Sequence, residues 1–447
     1  MEITCKEHDE GLTVKLEDKK FDLLYPKDVW KNYPREVKDI LVDNLTFLLT
    51  MDFPLVAGVK KLKYNTSSPI FKPHFRKLVI GSLPGAAQEF IPTTGSIIKQ
   101  FLETNYEFSD SKAKLPSFDK DNEKFEERAI LSLACGKDSL LSLGVCKEIG
   151  LNPISVYTNE TIYTTENKIK IEFIKKLAEE TKLKFHVLIN EVEKLNDYDF
   201  WKKTESCVGY SHVTTGICFS LLPFSHFYKS KYIVLGNQQN MNFGFINKDG
   251  YLAYPSFDQT AKWMKKINAM IKKMSGKKVG FMSVIEPLTN IAIMRILHNR
   301  YHNLWKYEVS CDYLDVSTEK RWCHNCPKCT KLFILMKANG IDTKGVGLRN
   351  LLDKKYKNLY CLFAKKKDLY ENSKEARDEQ LLAFYMAYKN GAKGYMIDLF
   401  KKKFLKEAVA RQDELFKKFF SIHKPITMPQ PIKKNVLKIY KEELKNF

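Results

Sequence analysis

Four of the ten cysteines fall in one short stretch, SCDYLDVSTEKRWCHNCPKC, at Cys311, Cys323, Cys326 and Cys329. The pattern C-x11-C-x2-C-x2-C suits a metal better than disulfides. Two-residue steps let adjacent thiolates turn toward one ion through a tight knuckle, and the distant Cys311 completes a tetrahedral set. Four soft thiolates with no open position describe a structural zinc site. His324 is a substitute ligand on type alone, although its neighbour Cys323 makes that awkward. Arg321, Lys328 and Lys331 would offset the charge of a zinc tetrathiolate. Free thiols in a core and an iron–sulfur cluster are the alternatives for the same spacing.

A second constellation lies in AILSLACGKDSLLSLGVCKEIG, residues 129–150. An apolar run meets a turn of small and polar residues and then a helical pattern. The start of a helix offers unpaired backbone N–H groups and the positive end of its dipole, which is a setting for phosphate. Ala134, Cys135 and Gly136 are small enough for close backbone approach, Lys137 adds a positive charge, and Ser139 adds a hydroxyl donor. Asp138 can hold the loop or a magnesium ion. An ordinary strand-to-helix turn is the plainer reading. Gly236, Asn237, Gln238 and Asn240 follow the apolar run IVL; they are candidates for adenine, ribose or amide recognition, or else open a helix. Glu160, Glu205, His212 and Asp258 sit at predicted strand ends and are candidates for a base. His212 reads equally as a cap or structural histidine, and Glu160 as a solvated loop charge.

These residues need a frame, and the hydrophobic pattern supplies one. AILSLA, PISVYTN, KFHVLIN, KYIVLGNQ and KVGFMSVI read as strands, separated by stretches with helical spacing. Alternating strands and helices predict an α/β fold, with a central parallel sheet covered on both faces. Ligands of such sheets bind at the carboxyl ends of strands, near the switch in strand order. The helix over DQTAKWMKKINAMIKKMSG is expected to be capped by Asp258. Residues 1–120 read as an N-terminal α+β domain, with KFDLLYP and KLVIGSLP as strands and REVKDILVDNLTFLLTMDF as a helix. Residues 341–447 read as a basic helical region.

The totals bound the function. The 447 residues exceed one ordinary domain, and 44% apolar content provides for real cores. No run of eighteen apolar residues predicts a membrane span. The first residues, MEITCKEHDEGLTVKLED, are acidic and mixed, unlike a signal peptide, so a cytoplasmic protein is the default expectation. A formal charge of +21 can draw RNA, DNA, anionic membranes or phosphate-rich small molecules. Lysine is used along the entire chain, so composition bias explains the charge as readily, and RNA is not the favoured partner.

The loop A-C-G-K-D-S resembles the S-G-G-x-D-S loop of the adenine nucleotide alpha hydrolase superfamily of ATP pyrophosphatases. Gly136, Asp138 and Ser139 match, while Ala134 and Cys135 stand where that pattern has serine and glycine. Adding the cysteine set, the LGNQQN strand end, YPSFDQT and IEPLTNIAIMRIL extends the likeness over residues 128–340, to the branch that contains 7-cyano-7-deazaguanine synthase. The flanking regions and the motifs CGKDS and WCHNCPKC are most similar to a larger family of that branch, the ATP-dependent UDP-N-acetylmuramoyl-L-alanyl-L-glutamate epimerases. The resemblance implies a PP-loop sheet in which Ala134 to Ser139, Gly236 and Asn237 hold ATP with Mg2+. It implies catalytic roles for Lys137, Asp138 and Ser139, and Zn2+ on Cys311, Cys323, Cys326 and Cys329. It further implies AMP-forming activation of a carboxylate on a small nucleotide-linked substrate, then epimerisation. An RNA-modifying adenylating enzyme and a non-catalytic ATP- or zinc-binding module are the other classes.

Overall fold

The computed structural model describes residues 1–88, 92–118, 123–204, 208–311, 321–365 and 371–445. Its strands, in chain order, are β1 (Glu2–His8), β2 (Gly11–Leu16), β3 (Lys19–Leu24), β4 (Lys61–Ser67), β5 (Asn105–Asp110) and β6 (Glu126–Ser132). They continue with β7 (Ile154–Glu160), β8 (Phe185–Asn190), β9 (Ser230–Val234), β10 (Phe245–Ile246), β11 (Leu252–Ala253) and β12 (Gly280–Met282). Ten of them form one sheet in the order β12-β9-β6-β7-β8-β3-β2-β1-β4-β5, and β10 and β11 make a separate hairpin. The half from β12 to β8 is parallel throughout. Its order places the first strand, β6, between the second and the fourth, so the chain reverses direction across the sheet between β6 and β9. That is the switch point at which doubly wound sheets bind ligands.

The N-terminal residues do not stand apart from this half. β3 pairs antiparallel with β8 at Leu23↔Asn190 and Leu24↔Ile189, so the sheet runs on into the β1–β3 meander. β4 and β5 then add in parallel at the far edge.

Alternation along the central strands divides their side chains between two cores. On β6, Ala129 and Leu131 join the core shared with the helices Lys137–Glu148, Asn290–Arg300 and Pro327–Ala338 and with the C-terminal helices. Ile130 points the other way, toward the N-terminal helix Arg35–Thr50 and the helices Val213–Ser220 and Ala261–Met274. Ile233 and Val234 of β9, and Phe281 and Met282 of β12, divide in the same way. A strand buried on both faces must be apolar at every position, and AIL in β6 is.

Several local expectations are corrected. KLVIGSLP is not a strand; it lies inside the helix Lys72–Ala86. Phe75, Leu78, Val79 and Leu83 bury one helical face, a spacing that a short apolar run conceals. Asp258 does not cap the helix Ala261–Met274; Thr260 does, its side chain accepting from Trp263 N. The chain before β9 forms two helices, Val213–Ser220 and Leu222–Phe227, with Pro223 in the first turn of the second. Among the described residues, one stretch, Arg35–Ala57, is long and apolar enough to cross a membrane. Its most apolar window is 83% buried within the fold, where Leu41, Leu45 and Leu48 pack in the N-terminal core.

His212, fully buried, joins the two halves of the molecule. Its Nδ1 lies 3.3 Å from Asp52 Oδ2, beyond the helix Arg35–Thr50, and its Nε2 lies 3.0 Å from Glu193 Oε1, just after β8. Burial alone would depress its pKa. The charge of Glu193 and the hydrogen bonds to Asp52 and Glu193 outweigh that and hold it near 10. The stabilisation is fully present below the ordinary histidine pKa of about 6.5 and declines as pH rises toward 10. His212→Ala leaves two carboxylates without their cation, a loss of about 3–5 kcal/mol. Urea denaturation at pH 6 is expected to show the deficit, and the gap from wild type is expected to narrow as pH approaches 10.

Candidate functional site

The turn after β6 is where strand chemistry becomes ligand chemistry. Leu133 N still donates to Val156 O of β7 at 3.0 Å, and the chain then leaves the sheet. Cys135 takes φ +55, in the left-handed region, which costs a residue with a Cβ about 1–3 kcal/mol. Gly136 follows at the N-cap of the helix Lys137–Glu148, whose first turn has no side-chain cap. Leu140 N closes the first helical bond to Gly136 O at 3.0 Å.

Two backbones press on this turn. Val309 N donates to Cys135 O at 2.8 Å, and a Cβ on Gly136 would stand 3.2 Å from Ser310 Oγ. From the opposite side comes Gly236, just after β9. A Cβ there would lie 2.9 Å from the Asp138 Cβ and 3.2 Å from its carbonyl carbon. Only glycine permits that approach. The loop 134–139 and Gly236-Asn237 therefore meet at the switch point between β6 and β9.

Lys137 is 5% exposed, with Nζ 2.6 Å from Asp138 Oδ1 and 3.3 Å from Gln238 Oε1. Burial lowers its pKa; Asp138 opposes that, while Lys331 adds to it. Ser139 Oγ donates to Gly136 O at 3.1 Å. Asn237 is 2% exposed; Ser283 Oγ donates to its carbonyl at 2.7 Å, yet its side-chain Nδ2 has no partner among the described residues. A buried amide donor left unmet beside an uncapped helix start is a place for an acceptor on a ligand. Asn240 is structural: its Nδ2 donates to Glu379 Oε2 at 2.7 Å, and its Oδ1 accepts from Asn290 N at 2.9 Å.

The cysteine cluster lies at the end of the segment that backs the loop. The sulfurs of Cys311, Cys323, Cys326 and Cys329 lie within 4.8 Å of one another. Cys323 and Cys329 are 3.8 Å apart at sulfur, the edge of a tetrahedron with zinc–sulfur bonds of about 2.3 Å. The set could hold a metal ion such as zinc. His324 has φ +56, which makes the knuckle tight, and its Nε2 lies 3.1 Å from Gly347 O, so it is not in the set. Backbone N–H groups of Cys323, Asn325 and Cys329 donate to the sulfurs of Cys311, Cys323 and Cys326. Hydrogen bonding to Cys311 pushes Cys326 and Cys329 above the ordinary thiol range, while hydrogen bonding to Cys329 lowers Cys323. Arg321 turns away from the sulfurs and donates to the carbonyls of Glu308 and Lys306 at 2.9 and 2.7 Å. Lys331 lies 3.8 Å from Glu371.

The remaining base candidates separate. Glu160 ends β7 at the same carboxyl edge. His212 is committed to its two carboxylates. Asp258 accepts from Thr214 N at 2.9 Å and from Ser256 Oγ at 2.5 Å. Glu205 lies outside the described residues. Sequence reasoning missed Glu308, which is fully buried, lies 3.8 Å from His298 Nε2 and has, among the described residues, no hydrogen bond to either carboxylate oxygen. Its charge acts on both Lys137 and Arg321. Its position three residues before Cys311 was the one available signal. No protein-family model matches the chain, and no curated protein matches it.

One zinc per chain is the expected result of metal analysis on purified protein. Cys326→Ala is expected to lower the thermal midpoint, and strong chelators are expected to do the same to the wild type. Because Val309 ties Cys135 to the segment that ends in Cys311, metal loss is further expected to raise hydrogen exchange at residues 134–139.

Proposed function

We propose that this chain activates a carboxylate with ATP, forming an acyl-adenylate and releasing pyrophosphate, on a sheet of the PP-loop type. The observation that carries the reading is the turn 134–139, wedged at the switch point with the unmet amide of Asn237 beside it. The parallel order β8-β7-β6-β9-β12 supports it, since ATP pyrophosphatases of this kind bind nucleotide at that crevice.

The donor set fits a leaving pyrophosphate. The N–H groups of the first helical turn point out of the helix end, and the dipole there favours negative charge. Lys137 is close enough to shift from Asp138 to a phosphate oxygen. Ser139 can turn its hydroxyl from Gly136 O to the same group. Asp138, the half-exposed carboxylate of the loop, is placed to hold Mg2+, which neutralises phosphate charge when bound. Lys137, Asp138 and Ser139 thus stabilise the charge that develops as pyrophosphate leaves.

For the acceptor we propose a peptide-linked terminal L-glutamate, as in UDP-N-acetylmuramoyl-L-alanyl-L-glutamate. Adenylation makes the α-proton more acidic, epimerisation follows, and water releases AMP. The motifs CGKDS and WCHNCPKC, with a long chain on either side of them, support this choice. An RNA-modifying enzyme with the same first half-reaction is the second reading. It is favoured by Lys337, Lys344 and Lys393 along one open groove of the C-terminal region.

ATP is expected to yield AMP and pyrophosphate rather than ADP and phosphate, read by chromatography with the glutamyl substrate present. ADP as the product would overturn the reading. Ser139→Ala is expected to lower kcat by roughly 10²–10³ through loss of one donor to the leaving group. Nitrile formation from ammonia and 7-carboxy-7-deazaguanine would keep the first half-reaction and replace the substrate.

A further inference from the structure

We infer that Glu160 is the carboxylate that takes the α-proton from the adenylated substrate, a role that rests on the adenylation reading above. It is the last residue of β7, the strand beside β6, at the carboxyl edge where the loop 134–139 also lies. The two features diverge from one rung, at which Ser132 pairs with Val156. Glu160 then stands four residues, roughly 13 Å of extended chain, beyond that rung. Lys170, on the helix Thr164–Thr181 over this edge, acts electrostatically on both Cys135 and Glu160. The loop and the carboxylate therefore share one neighbour.

The backbone of Glu160 is fixed while its carboxylate is uncommitted. Its carbonyl accepts from Asn167 Nδ2 at 2.7 Å and from Tyr163 N at 3.1 Å. Among the described residues no cation forms a salt bridge with its side chain. Lys170 pairs instead with Glu166, and His212 spends both ring nitrogens on Asp52 and Glu193. Next to it in the chain, Thr158 Oγ1, Asn159 Oδ1 and Thr161 Oγ1 are buried without a partner among the described residues, so the end of β7 holds unmet polar atoms. The charged groups that act on Glu160 are Glu193, Lys170, Glu166 and His212. Burial first, and then Glu193, raise its pKa to about 8, so it gains basic strength at mildly alkaline pH. Of the other candidates among the described residues, His212 is engaged with its carboxylates and Asp258 with Thr214 and Ser256.

The step balances as follows. The Cα–H bond of the acyl-adenylate breaks, its proton passes to the Glu160 carboxylate, and the electron pair moves into the adenylate carbonyl. A proton from solvent then adds to the opposite face, and water releases AMP. In deuterated water with ATP and UDP-N-acetylmuramoyl-L-alanyl-L-glutamate, wild type is expected to place one deuteron on the glutamate α-carbon. The rate should rise with pH through about 8. Glu160→Gln is expected to cut deuteration by about 100-fold or more while ATP–pyrophosphate exchange stays near the wild-type rate. Glu160→Gln that deuterates at the wild-type rate, or that loses exchange along with deuteration, would overturn this role. Wild type that exchanges pyrophosphate but adds no deuterium would overturn it too, with adenylation left standing. Wild type without exchange would remove the adenylation reading and this role with it.

Discussion

A strand buried on both faces can present polar chemistry only at its ends, and that constraint organises this molecule. β6 gives Ala129 and Leu131 to one core and Ile130 to the other, so its central residues cannot face a ligand. The chain leaves the sheet after Leu133, and the small and polar residues of the loop follow. Because β9 lies on one side of β6 and β7 on the other, the chain departs in opposite directions from that point and a crevice opens there. The loop 134–139, Gly236 and Glu160 all stand at strand ends around that crevice.

The turn itself is held under load. Cys135 accepts a left-handed backbone that glycine adopts freely, and it is kept there by a fully buried side chain and by the bond from Val309 N to its carbonyl. Burial pushes its thiol up to about 12, so it behaves as a small apolar group rather than a nucleophile. The segment that supplies Val309 continues through Ser310 to Cys311 and the cysteine cluster. A metal there fixes four points of backbone, one of them two residues from the bond that shapes the loop. This gives a closed thiolate site a mechanical reach beyond its own coordination sphere.

Electrostatics at the crevice run against the composition of the chain. The protein carries a formal charge of +21, yet Glu160, Glu166 and Glu193 gather at the ends of β7 and β8. His212 and Lys170 compensate part of that charge and are themselves consumed by it. On the loop side, the buried Glu308 faces Lys137 and Arg321, and burial brings Arg321 down to about 10. The helix start thus carries Lys137 among the carboxylates of Asp138 and Glu308, and the end of β7 gathers carboxylates.

What the sequence determined by itself was whatever depends on short-range pattern. The C-x2-C-x2-C steps mark a thiolate knuckle because two residues are the length of that turn. The apolar runs at β6, β7, β8 and β9 mark buried strands because both faces must be filled. The small residues before Lys137 mark a tight exit into a helix. The tertiary structure decided everything that rests on residues meeting across the sheet. KLVIGSLP became helix because Phe75, Leu78, Val79 and Leu83 had a helical face to bury, which the run alone does not disclose. Thr260 rather than Asp258 capped the next helix, because Asp258 was taken by Thr214. Asn240 and His212, polar candidates like Asn237 and Glu160, became structural because partners far along the chain claimed their side chains. Hydrogen bonds and charge pairs act over a few ångströms, and which groups come within that range is set by the order of strands in the sheet, not by their spacing along the chain.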